Sequence, residues 1–367
     1  MEANDRFYRD RNYNSSEDSV KVPSVKVENE KKLTKLDILR KLSSGTELRE
    51  GIDNVVSGGM GGLIVVYNLR AEGVFQGGFS IDCKFSSKRL FELSKMDGAI
   101  ILSEDFSKIL YANTLLVPDS NLTSFETGVR HQVAERTAKQ INGLIIAVSE
   151  RRGEITIYYG NSKYVLQPTE VLIRRATETL QILEKQREVF NEILINLNVL
   201  ELTNLVSIVD VCRVLQRIEM IKRMSGIINE YILELGKDGV ILRMRMREII
   251  RGIEKEGIFI IKDYFKNILE TREFFSNLNF EEILDAENIA ESLFHESLDK
   301  SIIPKGYRIL NKTNLNNENI ENLIRGFGNL DGIVNSENLA SVLGNLADNF
   351  KREFINLKEQ IMIGKMI

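Results

Sequence analysis

The spacing of the apolar residues changes between Leu166 and Pro168, and this change constrains the fold more than any other feature of the chain. From about Leu33 to Leu166, short apolar runs alternate with helical segments, which is the pattern of an α/β domain. The runs that predict strands are GLIVVYN, GAIILS, YANTLLVP, GLIIAVS and EITIYYG. Two segments predict helices, FSSKRLFELSKM with a serine cap and TGVRHQVAERTAKQING, which starts after Thr127 and stops at Asn142.

From Pro168 to about Lys300 the apolar residues recur three and four positions apart, for example at Phe190, Ile193, Leu194 and Leu197. This spacing predicts a region made only of helices. The segment LRMRMREIIRGIEKEG alternates charged residues with Met and Ile, which favours a solvated helix with one buried face over a stripe that binds nucleic acid. We expect this region to act as a spacer or as an assembly surface.

The segment from about Ile303 is short and polar. It contains two turns of apolar residues and glycine, at 327–330 and 343–346, each flanked by helical patterns. Paired helix-turn units of this kind can hold a phosphate backbone through the amides at a helix start. A small helical packing module is the alternative interpretation.

Composition excludes several classes of protein. The 367 residues suggest two or three domains, and a net charge of -4 gives no overall basic bias towards nucleic acid. Cys83 and Cys212 stand far apart without a CxxC motif, which disfavours a disulfide framework and a zinc site. Residues 1–30 are polar and no later run reaches about 18 apolar residues, so we expect a protein of the reducing cytosol with a disordered N-terminal tail.

An acidic residue and a glycine, Asp97 and Gly98, come directly before the apolar run AIILS. A carboxylate held at the mouth of a buried strand can bind a divalent cation or accept the proton of a hydroxyl group. Gly98 would let a ligand approach the backbone. Asp-Gly is also a common turn dipeptide, and both interpretations remain open.

The segment ETGVRHQVAER places Arg130 and His131 in the first turn of a predicted helix. Thr127 can cap this helix, and the free amides and the helix dipole favour an anion there. An arginine at this position opposes the dipole unless a phosphate lies between them. The pattern therefore indicates a phosphate site, whereas His295, the other histidine, is expected on a helix face.

A third group, Ser149, Glu150, Arg151 and Arg152, follows an apolar strand and leads into a turn at Gly153. The simplest interpretation is a hairpin with charged edges. The functional interpretation is a strand end that brings a hydroxyl, an acid and a guanidinium group to the same cleft.

In this order and spacing, the motifs resemble the DisA family of diadenylate cyclases. The resemblance covers nearly the whole chain after the tail, through GGLIVVYN, KMDGAIILSED, ILYANTLLVPD, ETGVRHQVAERTAKQ, AVSERRGEITIYY and IPKGYRILNKTNLNNENIENLIRGFGNL. After the tail (1–30), it implies a cyclase domain with a mixed central sheet (31–167), a helical spine (168–302) and a helix-hairpin-helix DNA-binding domain (303–367). It also implies a cytoplasmic octamer in which two cyclase domains, each holding one ATP, face each other and form cyclic di-AMP.

The resemblance further implies roles for individual residues. Asp97, Gly98 and Ala99 would form the catalytic element, and Asp97 with Glu150 would bind Mg or Mn. The nucleotide would be bound by Leu116, Gly128, Val129, Arg130, His131, Val133, Ser149 and Arg152. DNA would be bound with charge supplied by Lys305, Arg308, Lys312, Arg325, Lys351 and Arg352.

Two segments depart from the family pattern. The helix start is usually Gly-Thr-Arg-His-Arg-Thr, whereas residues 128–133 read GVRHQV, and a hairpin that is usually Gly-Ile-Gly reads GNL at 344–346. The substitutions at 129, 132 and 133 motivate a second hypothesis. In it, a degenerate cyclase domain binds nucleotide as a sensor, or the chain is a DNA-binding assembly protein, in either case without turnover.

Overall fold

The computed structural model describes residues 33–294, 300–365 and 367. The predicted tail at 1–30 and His295 lie outside the described residues. No helix in the described part of the chain combines the length and the apolar character that crossing a membrane requires.

The N-terminal domain is an α/β domain, as the sequence predicts. The five predicted strands are present, and the structure adds three short strands and two N-terminal helices. The helices are α1 (Lys35–Lys41), α2 (Glu47–Ser57), α3 (Ser87–Leu93) and α4 (Val129–Ile141). The strands are β1 (Gly62–Val66), β2 (Phe75–Gln76), β3 (Phe79–Lys84), β4 (Ala99–Leu102), β5 (Lys108–Leu116), β6 (Leu144–Val148), β7 (Ile155–Tyr159) and β8 (Ser162–Val165).

These strands form one mixed sheet in the order β2-β5-β4-β1-β6-β7-β8, with β3 also paired to β5. β1 and β4 are parallel, with Ile64 opposite Ile100, and the other pairs are antiparallel. As a result, β1 and β4 begin at the same end of the sheet at which β5 and β6 finish. The turns at this end are thereby brought together.

Alternate residues of the central strands pack on opposite faces of the sheet. Ile64 and Ile100 pack with α1, α2 and α3, whereas Val65 and Ile101 pack with α4. Because successive side chains of a strand point to opposite faces, the unbroken apolar runs are explained by a sheet buried on both sides. The mixed sheet expected from the resemblance is confirmed.

The helical region begins with two long helices, α5 (Thr169–Thr203) and α6 (Ile208–Leu235). α5 has 35 residues and spans roughly 50 Å at the α-helical rise. Shorter helices pack around them: α7 (Val240–Ile250), α8 (Ile253–Tyr264), α9 (Ile268–Asn277), α10 (Phe280–Leu284) and α11 (Ala286–Phe294). α6 docks on the N-terminal domain through buried Glu234, which accepts hydrogen bonds from the Tyr164 hydroxyl (2.6 Å) and the Gln167 amide (2.8 Å).

The C-terminal unit is a set of short helices around its own apolar core. They are α12 (Tyr307–Leu310), α13 (Asn317–Phe327), α14 (Leu330–Val334), α15 (Ala340–Leu343) and α16 (Ala347–Met362). The second apolar-glycine turn forms a 3-10 helix, Gly344–Leu346, between α15 and α16. The helices are confirmed, and the assignment of this unit as a helix-hairpin-helix domain stays a prediction.

Three of the six basic residues expected to supply charge for DNA are bonded to groups of the protein itself. Arg308 is fully buried against Glu201, Lys312 pairs with Glu256, and the ammonium group of Lys305 donates to the backbone carbonyls of residues 262 and 265. The prediction is wrong for Arg308, because this side chain is fully buried. Lys305 and Lys312 are half-buried and bonded to acceptors of the spine. Arg325, Lys351 and Arg352 are exposed.

Candidate functional site

A cavity of about 480 Å³ opens at the end of the sheet where β1 and β4 begin and β5 and β6 finish. The start of α4 and the turn after α3 complete its wall. Its lining comes from the glycine-rich turn (Gly59, Met60, Gly61, Gly62, Leu63), from 94–98 and Ile100, from Thr114, Leu115 and Leu116, and from Val129, Arg130, Val133 and Glu150. Seven of the predicted site residues lie here: Asp97, Gly98, Leu116, Val129, Arg130, Val133 and Glu150.

Asp97 lies exposed in the turn between α3 and β4 and lines the cavity. Gly98 has φ +90°, and a Cβ at this position would lie 2.9 Å from the backbone of Asn113 and Thr114. Only glycine combines this left-handed conformation with so close an approach to β5. The turn interpretation is therefore correct, and the same turn carries the carboxylate to the cavity. Ala99 is fully buried in β4 and does not line the cavity.

Arg130, the second residue of α4, extends over the glycine-rich turn. Its guanidinium group occupies the space in which a Cβ at Gly61 would lie, and its Nη1 donates to the Val148 carbonyl at 3.4 Å. Gly61 thus makes room for the arginine. The sequence shows the glycine run, but the contact with Arg130 is not predictable from it because the two residues are far apart in the chain.

The start of α4 differs from the expected cap. Gly128 is the N-cap and no side chain caps the helix, so the prediction that Thr127 fills this role is wrong. The first amides of the helix are consequently left without a side-chain acceptor, which is the arrangement that suits an anion. Val129 is 77% exposed and lines the cavity together with Val133. Two apolar side chains therefore stand where the family usually has threonine.

His131 does not line the cavity. Its Nδ1 lies 3.0 Å from the hydroxyl oxygen of Tyr158, a residue of β7 beneath α4. Burial lowers the pKa of His131, the Glu126 carboxylate opposes this shift, and the pKa remains below its usual value. The ring is thus favoured in its neutral form in the protein alone.

The Ser149–Gly153 segment forms the hairpin between β6 and β7, as its simplest interpretation predicts. The Gly153 amide donates to the Ser149 carbonyl at 2.9 Å, and the Arg152 amide donates to the Ser149 hydroxyl at 3.4 Å. The Arg152 side chain pairs with Glu154 at 3.4 Å. Of the predicted residues in this hairpin, Glu150 lines the cavity, whereas Ser149 and Arg152 do not.

Comparison with known proteins identifies the family of this chain. Residues 49–163 match the family model of the DisA bacterial checkpoint controller nucleotide-binding region, and residues 166–301 match that of the DisA bacterial checkpoint controller linker region. A DNA integrity scanning protein DisA from Clostridium kluyveri is 40% identical over 352 residues, which cover 92% of this chain and 99% of that protein. The chain belongs to the DisA family.

A second DisA relative, from Clostridium botulinum strain Alaska E43, is 39% identical over 348 residues, covering 90% of this chain and 97% of that protein. Among solved structures, DacA from Staphylococcus aureus aligns at 21% identity with a TM-score of 0.29, over 39% of this chain and 95% of that chain. The two family-model matches and the two DisA relatives confirm the resemblance inferred from the motifs at the level of the DisA family. Every residue that lines the candidate cavity falls within residues 49–163, the region that matches the DisA nucleotide-binding model.

Asp97 and Glu150, two carboxylate residues, line the same cavity. Within the described residues, no group of three or more His, Cys, Asp or Glu side chains could hold a metal ion. Two carboxylates suit a hard cation that takes its remaining oxygen ligands from water and phosphate groups. The donors present therefore fit Mg or Mn bound together with a nucleotide, and do not fit a metal caged by the protein alone.

Sequence reasoning missed Thr114 in this DisA site. Thr114 lies on β5 opposite Ala99 and lines the cavity. Its hydroxyl is buried and has no hydrogen-bond partner among the described residues. The strand containing it is predictable, but no local pattern distinguishes this threonine from one that simply packs in a sheet.

Proposed function

We propose that this chain is a diadenylate cyclase that condenses two ATP molecules into cyclic di-AMP and two pyrophosphates. One observation carries the proposal. A single cavity brings together the turn carboxylate Asp97 and the helix-start guanidinium of Arg130, within the region that matches the DisA nucleotide-binding model.

The lining of the cavity supports a nucleotide as the ligand. Its volume of about 480 Å³ lies in the range of small-molecule sites. The uncapped amides of α4 and the Arg130 guanidinium would bind the phosphates, and Leu116 would pack on the adenine. Phosphoryl transfer depends mainly on positioning and on neutralising charge, and these groups are suited to both.

Asp97 and Glu150 would hold a Mg or Mn ion. When bound, the metal would neutralise negative charge on the phosphates. The Asp97 carboxylate would orient the ribose 3′-hydroxyl and accept its proton as the oxygen attacks. Gly98 would line the ribose, and the buried Thr114 hydroxyl is a further candidate donor to the nucleotide.

The reaction requires two copies of the site. Each 3′-oxygen forms a bond to the α-phosphorus of the other ATP, the bond from that phosphorus to pyrophosphate breaks, and each hydroxyl loses one proton. One cavity provides for one ATP, so a second chain must present its own nucleotide face to face. Leu115 and Val129, which line the cavity and are 62% and 77% exposed, offer apolar surface for that contact. An octamer would contain such facing pairs.

A nucleotide sensor without turnover is the second candidate function, and the start of α4 favours it. Val129 and Val133 bring no hydroxyl to the cavity. The Gln132 side-chain amide donates to the Glu126 backbone carbonyl at 2.8 Å, so it stabilises the preceding loop.

The DNA role is proposed for the C-terminal unit, where Arg325, Lys351 and Arg352 are exposed and available for phosphates.

The experiment that separates turnover from sensing is incubation of the protein with ATP and either Mg or Mn. Cyclic di-AMP is identified by mass and pyrophosphate is quantified in the same sample. The cyclase proposal requires two pyrophosphates for each cyclic di-AMP. ATP binding without cyclic di-AMP would reject the cyclase in favour of the sensor.

A further inference from the structure

A chain of three hydrogen-bonded or ion-paired contacts ends on the ring of His131. The ring Nδ1 lies 3.0 Å from the Tyr158 hydroxyl oxygen, and this hydroxyl lies 2.8 Å from Oε1 of Glu126. The ammonium group of Lys163 lies 2.5 Å from the same Glu126 oxygen. Tyr158, the fourth of the five residues of β7, is 1% exposed. None of Tyr158, Glu126 and Lys163 is among the site residues that the sequence predicts.

The proton positions along this chain follow from what each group can donate. Burial raises the pKa of Glu126, but hydrogen bonds from Lys163 and Tyr158 outweigh this and leave its pKa below the usual value. Glu126 is therefore a carboxylate at neutral pH and can only accept. Burial and the bond to Glu126 raise the pKa of Tyr158. The phenol therefore stays protonated, and its O–H donates a hydrogen bond to Glu126.

Because the Tyr158 O–H donates its hydrogen bond to Glu126, the Tyr158 oxygen can only accept a hydrogen bond from His131. The 3.0 Å contact is a hydrogen bond only if Nδ1 of His131 carries a proton. In the neutral ring, Nε2 then holds the lone pair. Nε2 makes no hydrogen bond within the described residues, so it is the ring nitrogen left to meet a ligand.

We propose that Tyr158 and Glu126 are positioning residues that hold His131 with its proton on Nδ1, so that a phosphate group binds at His131 only as Nε2 takes up a second proton. The second half of this statement rests on the proposed function, in which ATP phosphates bind at the start of α4. The proton comes from solvent, and the ring becomes an imidazolium that donates from both nitrogens.

The physical reason is the charge around the ring. A lone pair on Nε2 repels phosphate oxygens, whereas an imidazolium N–H attracts them. In the protein alone, burial keeps the ring neutral, with Lys163, Arg130 and Arg152 acting in the same direction and Glu126 against them. A bound triphosphate adds negative charge and reverses the balance. Binding should therefore strengthen as pH falls, by at most about tenfold per pH unit for one proton.

The first half is tested by ¹⁵N NMR of the histidine rings in the protein without nucleotide. The chain has only two histidines, so a His295→Gln variant assigns both ring systems. We expect His131 at neutral pH as the neutral ring protonated on Nδ1, and we expect Tyr158→Phe to shift it towards the Nε2-protonated form. A parent spectrum with His131 protonated on Nε2 would overturn the assignment, and this result needs no variant to fold.

The second half is tested by calorimetry with an ATP analogue that carries a methylene group between its α- and β-phosphorus atoms. Titrations in two buffers of different ionisation enthalpy give the number of protons taken up. We expect the parent to take up more protons than His131→Gln, with a difference of up to one. Equal uptake by the two proteins would overturn proton-linked binding. Absence of binding by the parent would reject the proposed nucleotide site and leave the NMR result to decide the tautomer.

Discussion

Arg308 of α12 and Glu201 of α5 form an ion pair in which both side chains are fully buried. The guanidinium group also donates to the Asn198 side chain at 2.6 Å, and the Arg308 backbone amide donates to Asp263 at 3.0 Å. Every one of these acceptors belongs to the spine. The contact therefore joins the C-terminal unit to the helices that lead back to the candidate site.

Replacing Arg308 with alanine should destabilise the protein by about 3–5 kcal/mol, because it leaves the Glu201 charge buried without its partner. Urea unfolding followed by circular dichroism measures this loss. Arg325→Ala, which removes an exposed arginine from the same unit, should change stability by no more than about 0.5 kcal/mol. Equal losses in the two variants would show that the buried pair does not join the units.

Gly61→Ala should weaken ATP binding without unfolding the domain. The new Cβ would displace the Arg130 guanidinium from the cavity wall. If Arg130 binds phosphate, losing this charged contact costs about 1.5–3 kcal/mol, or roughly tenfold to more than hundredfold in affinity. Calorimetry with ATP measures the change. Gly73→Ala is the matched control, since a Cβ there meets nothing within 4 Å, and it should bind as the parent does.

The sequence predicts best what depends on neighbouring residues. Ser86 caps α3 by accepting a hydrogen bond from the Arg89 amide, and Asn142 ends α4 in the left-handed conformation, both as local patterns indicate. The five long apolar runs were also predictable as strands. Three strands were missed. β2 and β8 have only two and four residues and are defined by their partners, whereas β3, FSIDCK, alternates apolar and polar residues and was predictable as a strand.

The site was predictable only in part, because local sequence does not show which distant segments the fold brings together. Asp97, Arg130 and Glu150 stand in motifs whose chemistry points to a ligand, and all three line one cavity. The fit of Arg130 over Gly61 arises only when the sheet brings distant segments together. Arg308 resembles any surface arginine in the sequence, and its burial depends on acceptors of the spine that no local pattern reveals.

Restoring the missing hydroxyls should tighten nucleotide binding. Val129 and Val133 line the cavity, and Val129→Thr with Val133→Thr would add two donors at the helix start. A hydroxyl that donates to a phosphate contributes at least about 0.5 kcal/mol, so the double variant should bind ATP at least roughly fivefold more tightly. Val117→Thr, at an exposed position outside the cavity lining, should leave the affinity unchanged. An unchanged affinity in the double variant would place the phosphates elsewhere.

DNA binding, if it resides in the C-terminal unit, should depend on the exposed basic residues of α13 and α16. Changing Arg325, Lys351 and Arg352 together to glutamine should weaken DNA binding. It should also reduce the slope of log affinity against log salt concentration by the equivalent of up to about three phosphate contacts. Fluorescence anisotropy over a series of salt concentrations measures both effects. Arg243→Gln on α7 serves as the control on the spine. A loss of affinity in this control, with none in the triple variant, would move the DNA surface to the spine.

The central claim is that the cavity around Asp97 makes cyclic di-AMP, and substitution of this carboxylate tests it most directly. Asp97→Asn is compared with Asp82→Asn, which changes an exposed aspartate paired with Lys108 outside the cavity, at a positive φ that asparagine tolerates. The measurement is the amount of cyclic di-AMP formed from ATP with Mg or Mn, detected by mass. We expect product from the parent and from Asp82→Asn and none from Asp97→Asn. Product formation by Asp97→Asn at the parent rate would contradict the assigned role of the carboxylate and the account built on it.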